Sequence, residues 1–422
     1  MHMLSLRRAA HSSRSFPKAI QASFLRGGTS KGVFIRRDQL PANRSEWDPI
    51  FLRLMGSPDP YGRQLNGMGG GISSLSKIMV VGPPSPGIPE TAGVDAEYTF
   101  VQIGIEDGAV EYTGNCGNLS SVAGVFAVDA GIARATAIAP EDTQAGNELP
   151  LGKVRLWNSN TKKVIETTFP IDAETSQPVL NLPQATIAGV SSKASRIILD
   201  FLNPAGAMAP SGLLFPTGIP QENISLLDDA GCAISAQVTL IDCSNPTVIL
   251  DVQHERTNLG STTLAQALLT APLNVMDQLE LIRQEGARRM GLDPSSQAQP
   301  KVVLISSGKG TTGVDLFARA LSMGVPHKAL PMTVALGVGV ATRVPGTVAF
   351  VAASLHSSTG YSELKPSDAQ SGFVTIQHPG GHVEVGAKFL EKGQNGAIEP
   401  LVSSASVVRT GRWLMRGEVF YD

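Results

Sequence analysis

The sequence predicts an α+β fold made of two similar units, each a strand-rich sheet wrapped round a central helix. The 44 glycines and 28 prolines among 422 residues indicate many turns, as expected of a fold rich in short strands. Two runs of small apolar residues, 119–128 and 329–344, are typical of helices enclosed by sheet on all sides. Aligning the runs superposes two glycine- and alanine-rich helices that each precede a predicted strand, which favours a duplicated unit.

Strand-like apolar runs surround both helices, and turn residues separate them. The first unit is predicted to contain strands at residues 22–26, 32–36, 77–82, 97–105, 152–157 and 163–169. The second is predicted to contain strands at residues 196–202, 233–242, 247–253, 301–306, 346–352, 372–377 and 382–387. We place the first unit at 21–190 and the second at 191–404, with a junction at 184–195. Residues 405–422 either complete the first unit or add a strand to the second.

One amphipathic helix lies outside this pattern. Residues 272–290 carry apolar side chains on one face and charged side chains on the other, and Gly291 is placed to end the helix. We expect the apolar face to pack on the second unit. The alternative is that it forms the interface of a homodimer.

The N-terminus differs in composition from the rest of the chain. No acidic residue precedes Asp38, and arginines alternate there with serines and small apolar residues. This composition resembles a mitochondrial transit peptide, so we predict that residues 1–20 are a targeting leader. The alternative is a disordered basic extension of a cytoplasmic protein.

Composition also excludes several classes of protein. The formal net charge of -2 provides no basic surface for nucleic acid. The apolar stretch 332–353 contains Arg343, Pro345 and several glycines, so it is not a membrane span. The three cysteines lack CxxC spacing and the seven histidines are scattered, so neither disulfides nor a metal site are indicated. Composition therefore supports a soluble enzyme and gives no metal motif.

The segment Asn115-Cys116-Gly117-Asn118 places a reactive side chain beside small residues. The apolar run after it predicts a helix, so Cys116 lies at or just before a helix N-terminus, where unpaired N–H groups favour negative charge. A thiolate is stabilised in that position, and Gly117 lets the backbone approach a bound carboxylate. The alternative is a buried, inert cysteine within a turn.

The glycine run 69–71 is followed by Ile-Ser-Ser-Leu-Ser and then by Lys77, which begins an apolar strand. A lysine that enters a core strand is costly unless it is paired or functional. The alternative is a lysine at a strand end whose ammonium group reaches solvent. The run is not a phosphate-binding loop, because Ile78 occupies the position that requires Ser or Thr.

A third segment, 25–35, has strand-like runs on either side of a Gly-Gly-Thr-Ser turn. It predicts a hairpin whose tip displays hydroxyls, backbone N–H groups and the cations Arg26 and Lys31. The hairpin is either a plain turn or part of a binding site.

These motifs occur in one order with Ser322-Met323-Gly324, His327 and Pro345-Gly346-Thr347 further along the chain. The joint pattern resembles the PrpF family of 2-methylaconitate, aconitate and methylitaconate isomerases over nearly the whole chain. The resemblance implies a diaminopimelate epimerase-like fold, with the active site in the cleft between the two units.

The resemblance also implies that Lys77 and Cys116 are the catalytic acid and base, in an order that the sequence does not assign. The implied reaction is a cofactor-independent proton transfer on an aconitate-type unsaturated di- or tricarboxylate, by allylic double-bond shift or cis-trans isomerisation. The residues predicted to hold the substrate are Arg26, Ser30, Gly71, Ser73, Asn115, Gly117, Asn118, Ser322 and His327. A surface or capping role is equally compatible with His327.

The sequence departs from the family pattern in the later helix. Some relatives and the epimerases carry a second cysteine there, whereas the corresponding stretch here, around Gly337, has none. An epimerase that works by two opposed thiols is therefore disfavoured, while a proton shift along one face needs a single base. The alternatives to an isomerase remain an amino-acid epimerase and a non-catalytic protein that assists a dehydratase.

Overall fold

A computed structural model of the chain describes residues 18–89, 93–138, 149–228, 231–253, 273–322, 324–354, 372–390 and 401–421. Most of the predicted leader lies outside the described residues. Its last three residues, 18–20, belong instead to the first strand and pair with residues 419–421. The predicted leader boundary at residue 20 therefore falls inside the folded unit. In the described part of the chain, no helix is long and apolar enough to cross a membrane.

The first unit combines a sheet with short helices. Its strands are β1 (Lys18–Gly27), β2 (Ser30–Arg36), β3 (Lys77–Gly82), β4 (Ala96–Ile103), β5 (Val110–Glu111), β6 (Thr136–Ile138), β7 (Leu151–Asn158) and β8 (Lys163–Pro170). Its helices are α1 (Trp47–Met55), α2 (Gly117–Ser120) and α3 (Ala123–Asp129), with 3-10 turns at Arg37–Gln39, Arg44–Glu46 and Ser73–Leu75. In the sheet β1, β2, β3, β4, β7 and β8 are neighbours in that order.

The second unit is also built of strands and a few helices. Its strands, and the C-terminal strand, are β9 (Ile197–Leu202), β10 (Glu222–Leu227), β11 (Ala233–Cys243), β12 (Asn245–Asp251), β13 (Lys301–Ser307), β14 (Leu316–Ser322), β15 (Val325–Pro326), β16 (Phe373–His378), β17 (Gly381–Phe389), β18 (Val402–Arg409) and β19 (Gly411–Tyr421). Its helices are α4 (Leu273–Arg289), α5 (Met332–Ala341) and α6 (Val348–Ser354).

Strand pairing joins the two units. β8 of the first unit pairs with β9 of the second, and β9 pairs with β18. The chain then crosses back, because β19 pairs with β1 along its length. The C-terminal segment is thus shared: β18 extends the second unit and β19 the first, with Thr410 between them.

Each unit encloses one helix. Residues Ala123 to Val128 of α3 are buried against β3, β4, β7 and β8. Gly124 permits this close approach, because a Cβ there would lie 2.0 Å from Thr167 Oγ1. Residues Val334 to Ala341 of α5 are likewise buried against β11, β12, β17 and β18. The predicted α+β class, with a helix inside each strand-rich unit, is confirmed.

The run 119–128 is not one continuous helix as predicted. It is divided between α2 and α3 at residues 121 and 122, where Val122 has non-helical dihedral angles of φ -106° and ψ 6°. The Ser121 hydroxyl donates to the Asn118 carbonyl oxygen at 2.7 Å. Such a bond from a serine side chain to the preceding turn bends or interrupts a helix.

Residues 346–352 were expected to form a strand, and the structure places most of them in α6. Thr347 caps this helix, because its Oγ1 accepts the backbone N–H of Phe350 at 3.0 Å. The buried residues of α6 have helical spacing. They are Val348, Ala349, Ala352 and Ala353.

The apolar face of α4 lies on the outer side of the second unit's sheet. Val275, Leu279 and Ile282 pack there with residues of β10 to β13. The predicted packing role of this helix is confirmed. Because the sheet already covers this face, it is not free to form a dimer interface.

Candidate active site

The candidate site lies where β2 and β3 begin. These strands are parallel neighbours, so their first residues, Ser30 and Lys77, lie at the same end of the two strands. β4 runs antiparallel to β3 and places Gln102 opposite Lys77. The start of α2 lies at the same end of these strands, and Cys116 is its N-cap residue.

The Gly-Gly-Thr-Ser turn and the Asn-Cys-Gly-Asn segment are packed directly against each other. A Cβ on Gly27 would lie 2.3 Å from the carbonyl oxygen of Asn118. Gly28 adopts φ +51°, and its Cβ would lie 2.2 Å from Asn118 Oδ1. Asn118 Nδ2 donates to Thr29 Oγ1 at 3.1 Å. The two glycines are therefore required for this contact, which brings the two motifs into one site.

Cys116 lies between Ser30 and a buried polar network. The thiol donates to Ser30 Oγ at 3.7 Å, and Ser30 itself is 3% exposed. Behind the motif, Ser120 Oγ donates to Asn115 Oδ1 at 3.0 Å and lies 3.0 Å from the Tyr98 hydroxyl. Burial raises the pKa of Tyr98, which keeps this hydroxyl a neutral donor. The network fixes Asn115 and with it the start of α2.

Lys77 is held without a carboxylate partner. Its side chain is 8% exposed, its Nζ donates to Gln102 Oε1, and the ammonium lies 5.2 Å from the centre of the Phe100 ring. None of the ion pairs found among the described residues includes Lys77. Burial lowers the pKa of Lys77, and negative charge on nearby Cys116 partly opposes that shift. An amine in this state can both release and accept a proton.

A cavity of about 500 Å³ contains both reactive side chains. This volume suits a small molecule. Seven of the residues predicted from the sequence line it, namely Ser30, Ser73, Lys77, Asn115, Cys116, Gly117 and Asn118. Its other walls include Phe100, Gln102, Glu111 and Met332. Met332 begins α5, so the second unit contributes to a cavity built mainly by the first.

Two predicted residues support the site without lining the cavity. Arg26 Nη1 donates to the carbonyl oxygens of Gly28 and Thr410, at 2.8 and 3.1 Å, and so ties the turn to the C-terminal segment. Gly71 adopts φ +69°, and its N–H donates to Gln64 Oε1 at 3.1 Å. Both residues therefore act on the shape of the loops that carry the site.

The predicted residues of the second unit are placed differently. His327 is exposed, and its Nδ1 lies 2.8 Å from the carbonyl oxygen of Ala329, which is the local capping geometry. It does not line the cavity. The side chain of Ser322 is outside the described part of the structure.

The residue of α5 that faces Cys116's motif is Met332. A Cβ on Gly117 would lie 2.4 Å from Met332 Sδ, so the two helix starts are in contact. Gly337, in the stretch where the family pattern implies a second thiol in some relatives, lies within α5 as predicted. Its Cβ position is 3.7 Å from the Cys243 carbonyl oxygen in β11. A thioether carries no exchangeable proton, so Met332 supplies no acid or base to the cavity.

Arg409, at the end of β18, is a buried cation close to the site. It is 8% exposed, its Nη1 donates to the Val408 carbonyl oxygen at 2.9 Å, and its buried Nε has no hydrogen-bond partner. Burial lowers the pKa of Arg409 to about 10, and negative charge on Cys116 partly opposes that shift. No ion pair among the described residues includes it.

Gln102, Met332 and Arg409 were not predicted as site residues. Gln102 and Arg409 are long polar side chains that each follow two apolar residues near the end of a strand, which is the signal that could have identified them. Met332 has no such signal, because a methionine at the start of an apolar helix is typical of a core. In the described segments, no three His, Cys, Asp or Glu side chains come together as a metal site requires.

Comparison with known proteins gives consistent results. The family model described as PrpF protein matches residues 17–422. A 2-methyl-aconitate isomerase of Shewanella oneidensis is 33% identical, over 97% of this chain and 98% of that protein. A 4-oxalomesaconate tautomerase of Pseudomonas putida is 29% identical, over 95% of each chain. The crystal structure of a methylitaconate-delta-isomerase superposes with a TM-score of 0.75, at 27% identity and 96% coverage of both chains.

Proposed function

This chain belongs to the PrpF family, and we propose that it is a cofactor-independent isomerase of an aconitate-type unsaturated di- or tricarboxylate. The proposed reaction moves one proton, either with an allylic shift of the double bond or with cis-trans exchange. One observation carries this proposal. Lys77 and Cys116, two groups able to exchange a proton, line the same small-molecule cavity.

The chemistry needs an acid and a base but no oxidant. A C–H next to the double bond is acidic because the carboxylate conjugated with that double bond accepts the charge. Removal of the proton gives a dienolate, and return of a proton to a different carbon moves the double bond. Rotation about the central bond before the proton returns gives cis-trans exchange. Lys77 and Cys116 are the proposed acid and base, each in either role.

The walls of the cavity suit an anionic substrate held mainly by neutral donors. Ser30, Ser73 and Asn118 offer hydroxyl and amide donors, and Gly117 brings its backbone to the cavity wall without a side chain. Lys77 is the cation among the lining residues. We propose that these groups hold the carboxylates and the enolate oxygen, while the relatives named for 2-methylaconitate, methylitaconate and oxalomesaconate support the substrate class.

Two other functions remain less well supported. Epimerisation of an amino acid needs a base on each face of the carbon, and the second unit offers Met332 at the cavity. A non-catalytic role in assisting a dehydratase would not require Lys77 and Cys116 to be kept together in one cavity.

A substrate panel tests the proposal. The purified protein is incubated in deuterated water with cis- and trans-aconitate, 2-methylaconitate, methylitaconate, oxalomesaconate and diaminopimelate, and proton NMR follows each acid. We expect isomerisation of at least one unsaturated acid and no change in diaminopimelate. Turnover of diaminopimelate alone would replace the isomerase with the epimerase, and no turnover of any acid would remove the proposal.

The location and assembly of the enzyme are further proposals. The acid-free, arginine- and serine-rich residues 1–17 support delivery to the mitochondrion, and this support comes from the sequence alone because the relatives named above are bacterial. A homodimer would have to use a surface other than the apolar face of α4. Import into isolated mitochondria and light scattering of the purified protein measure these two properties.

A further inference from the structure

Gln102 is the direct neighbour of Lys77, and its side-chain amide can point in only one way. Its Nε2 donates to the carbonyl oxygens of Ser73 and Ser76, at 3.2 and 2.9 Å. Carbonyl oxygens only accept, so they require the nitrogen of the amide. Gln102 Oε1 must therefore face Lys77 Nζ, from which it accepts a hydrogen bond.

This acceptor carries no formal charge, which matters for a lysine that transfers protons. A carboxylate at the same place would favour the ammonium form of Lys77 and raise its pKa. The neutral Gln102 amide orients Lys77 Nζ by one hydrogen bond. It opposes the loss of a proton from Lys77 far less than a carboxylate would. The other titratable groups that line the cavity are Cys116 at the start of α2, whose charge acts on Lys77, and Glu111 on β5, which pairs with Gln102.

We infer that Gln102 is a positioning residue for Lys77: its fixed amide oxygen aims the lysine nitrogen into the cavity and leaves that nitrogen free to change its protonation state. This inference rests on the proposed function, because it gives Lys77 a proton to move. The 3-10 turn Ser73–Leu75 contributes to this positioning, because the Ser73 carbonyl oxygen accepts a hydrogen bond from Gln102.

Two substitutions of similar size should act in opposite directions. Gln102→Glu places a negative charge beside the lysine nitrogen, so the pKa of Lys77 should rise. Gln102→Leu removes the acceptor that favours the ammonium form, so the pKa of Lys77 should fall further below its ordinary value. If the Gln102 amide did not act on Lys77, Gln102→Leu would leave the pKa of Lys77 unchanged.

The first measurement does not depend on turnover. In protein carrying 13C-labelled lysine, the Lys77 signal is identified as the one absent from Lys77→Ala, and its titration is followed by NMR. We expect the midpoint to move to higher pH in Gln102→Glu and to lower pH in Gln102→Leu. Lys193→Ala, a substitution of an exposed lysine, should leave the Lys77 signal in place. Midpoints that stay fixed, or that move in the same direction, would overturn the inference.

The second measurement uses the best substrate of the panel. In Gln102→Glu one limb of the pH profile of kcat should move to higher pH, and if Lys77 is the base, turnover at neutral pH should fall by roughly tenfold or more. The acidic limb moves if Lys77 is the base, and the alkaline limb moves if it is the acid. NMR shifts as expected without turnover of any acid would reject the proposed function but keep the role of Gln102 in setting the state of Lys77.

Folding of the variants is checked separately. Gln102→Glu brings a second oxygen toward the carbonyl oxygens of Ser73 and Ser76, so circular dichroism and thermal unfolding accompany each titration. If the Glu variant does not fold, Gln102→Leu and Gln102→Met carry the test, because both remove the acceptor without adding charge. A Lys77 midpoint equal to that of the native protein in both would then overturn the inference.

Discussion

The thiol of Cys116 donates to the hydroxyl of Ser30 at 3.7 Å, across 86 positions of sequence. Ser30 begins β2 and Cys116 directly precedes α2. The hydrogen bond from Asn118 to Thr29 joins the residues next to them. The hydroxyl that touches the reactive sulfur is thus held by the same contact that joins the two motifs. A substrate carboxylate placed against Ser30 would lie next to the sulfur, which is the arrangement that proton transfer needs.

Replacing either reactive side chain should stop the reaction without unfolding the protein. We expect Cys116→Ser and Lys77→Ala each to lower kcat by about two orders of magnitude or more, the usual effect of losing a general acid or base. Steady-state kinetics on the best substrate measures the loss, and thermal unfolding checks the fold. Cys232→Ser and Lys193→Ala are matched controls at exposed positions. Near-native kcat in either active-site variant would remove that residue from the mechanism.

Features that depend on neighbouring residues could be predicted from the sequence, whereas contacts between residues far apart in the chain could not. Most strands and the chemistry of Lys77 and Cys116 could be predicted, because apolar runs, turn residues and small residues beside a reactive group are local signals. The partnership of Lys77 with Gln102 depends on strand register, which no local pattern specifies. Arg26 was expected to bind substrate, yet its donors are used by the backbone of its own turn and of Thr410.

The error at residues 346–352 has a similar cause. A short apolar run rich in valine and alanine is compatible with a strand or a buried helix. Thr347 favours the helix, because its Oγ1 accepts the backbone N–H of Phe350 and so caps the helix N-terminus. The contact of Met332 with Gly117 joins the two units and could not be read from either segment alone.

Arg409 should matter for activity more than for stability. A buried cation without an ion-pair partner opposes folding, so Arg409→Met should leave the free energy of unfolding unchanged or raise it, by about 1 kcal/mol. The same change removes positive charge near the Cys116 sulfur, so kcat should fall, whereas Arg409→Lys should retain more activity. Urea unfolding and kinetics measure the two effects. A large loss of stability in Arg409→Met would show that the guanidinium has a structural role instead.

Deletions at the N-terminus should separate the leader from the fold. Removal of residues 1–16 should leave folding and kcat unchanged, because β1 begins at Lys18 and the family match begins at residue 17. Removal of residues 1–24 should prevent folding, since it takes away most of a strand that pairs with both β2 and β19. Circular dichroism and kinetics compare the two proteins. Loss of folding in the shorter deletion would make residues 1–16 structural.

The burial of Lys77 should leave a signature in stability as a function of pH. Because its pKa is lower in the folded chain than in the unfolded chain, the unfolded chain binds the proton more tightly. The ammonium form therefore opposes folding below the folded pKa, and the penalty disappears as pH rises toward the ordinary lysine value of 10.5.

Lys77→Met removes that penalty, so its stability relative to the parent should be greatest at neutral pH and should decline toward alkaline pH. Both proteins carry Cys116→Ser, which removes the thiol that titrates nearby. Urea unfolding at a series of pH values gives the difference. A difference that is constant or grows with pH would contradict the assigned direction of the shift.

Transfer of hydrogen along one face of the substrate should leave an isotopic trace. If a single residue removes the proton and returns it, part of the deuterium from a labelled substrate should reappear in the product, because a buried acid can return it before exchange with water. A lysine ammonium rotates among three hydrogens, so partial retention is expected. Mass spectrometry of the product in ordinary water measures the retained fraction.

The Cys116→Ser variant then assigns the base. If Lys77 removes the proton, this variant should still exchange substrate hydrogen with solvent while it forms little product. If Cys116 is the base, exchange and isomerisation should be lost together. Met332, across from the motif of Cys116, offers no base, so hydrogen that a single residue removes and returns should appear on the face from which it was taken. Product labelled fully from solvent on the opposite face would require two opposed bases and would exclude transfer by one residue.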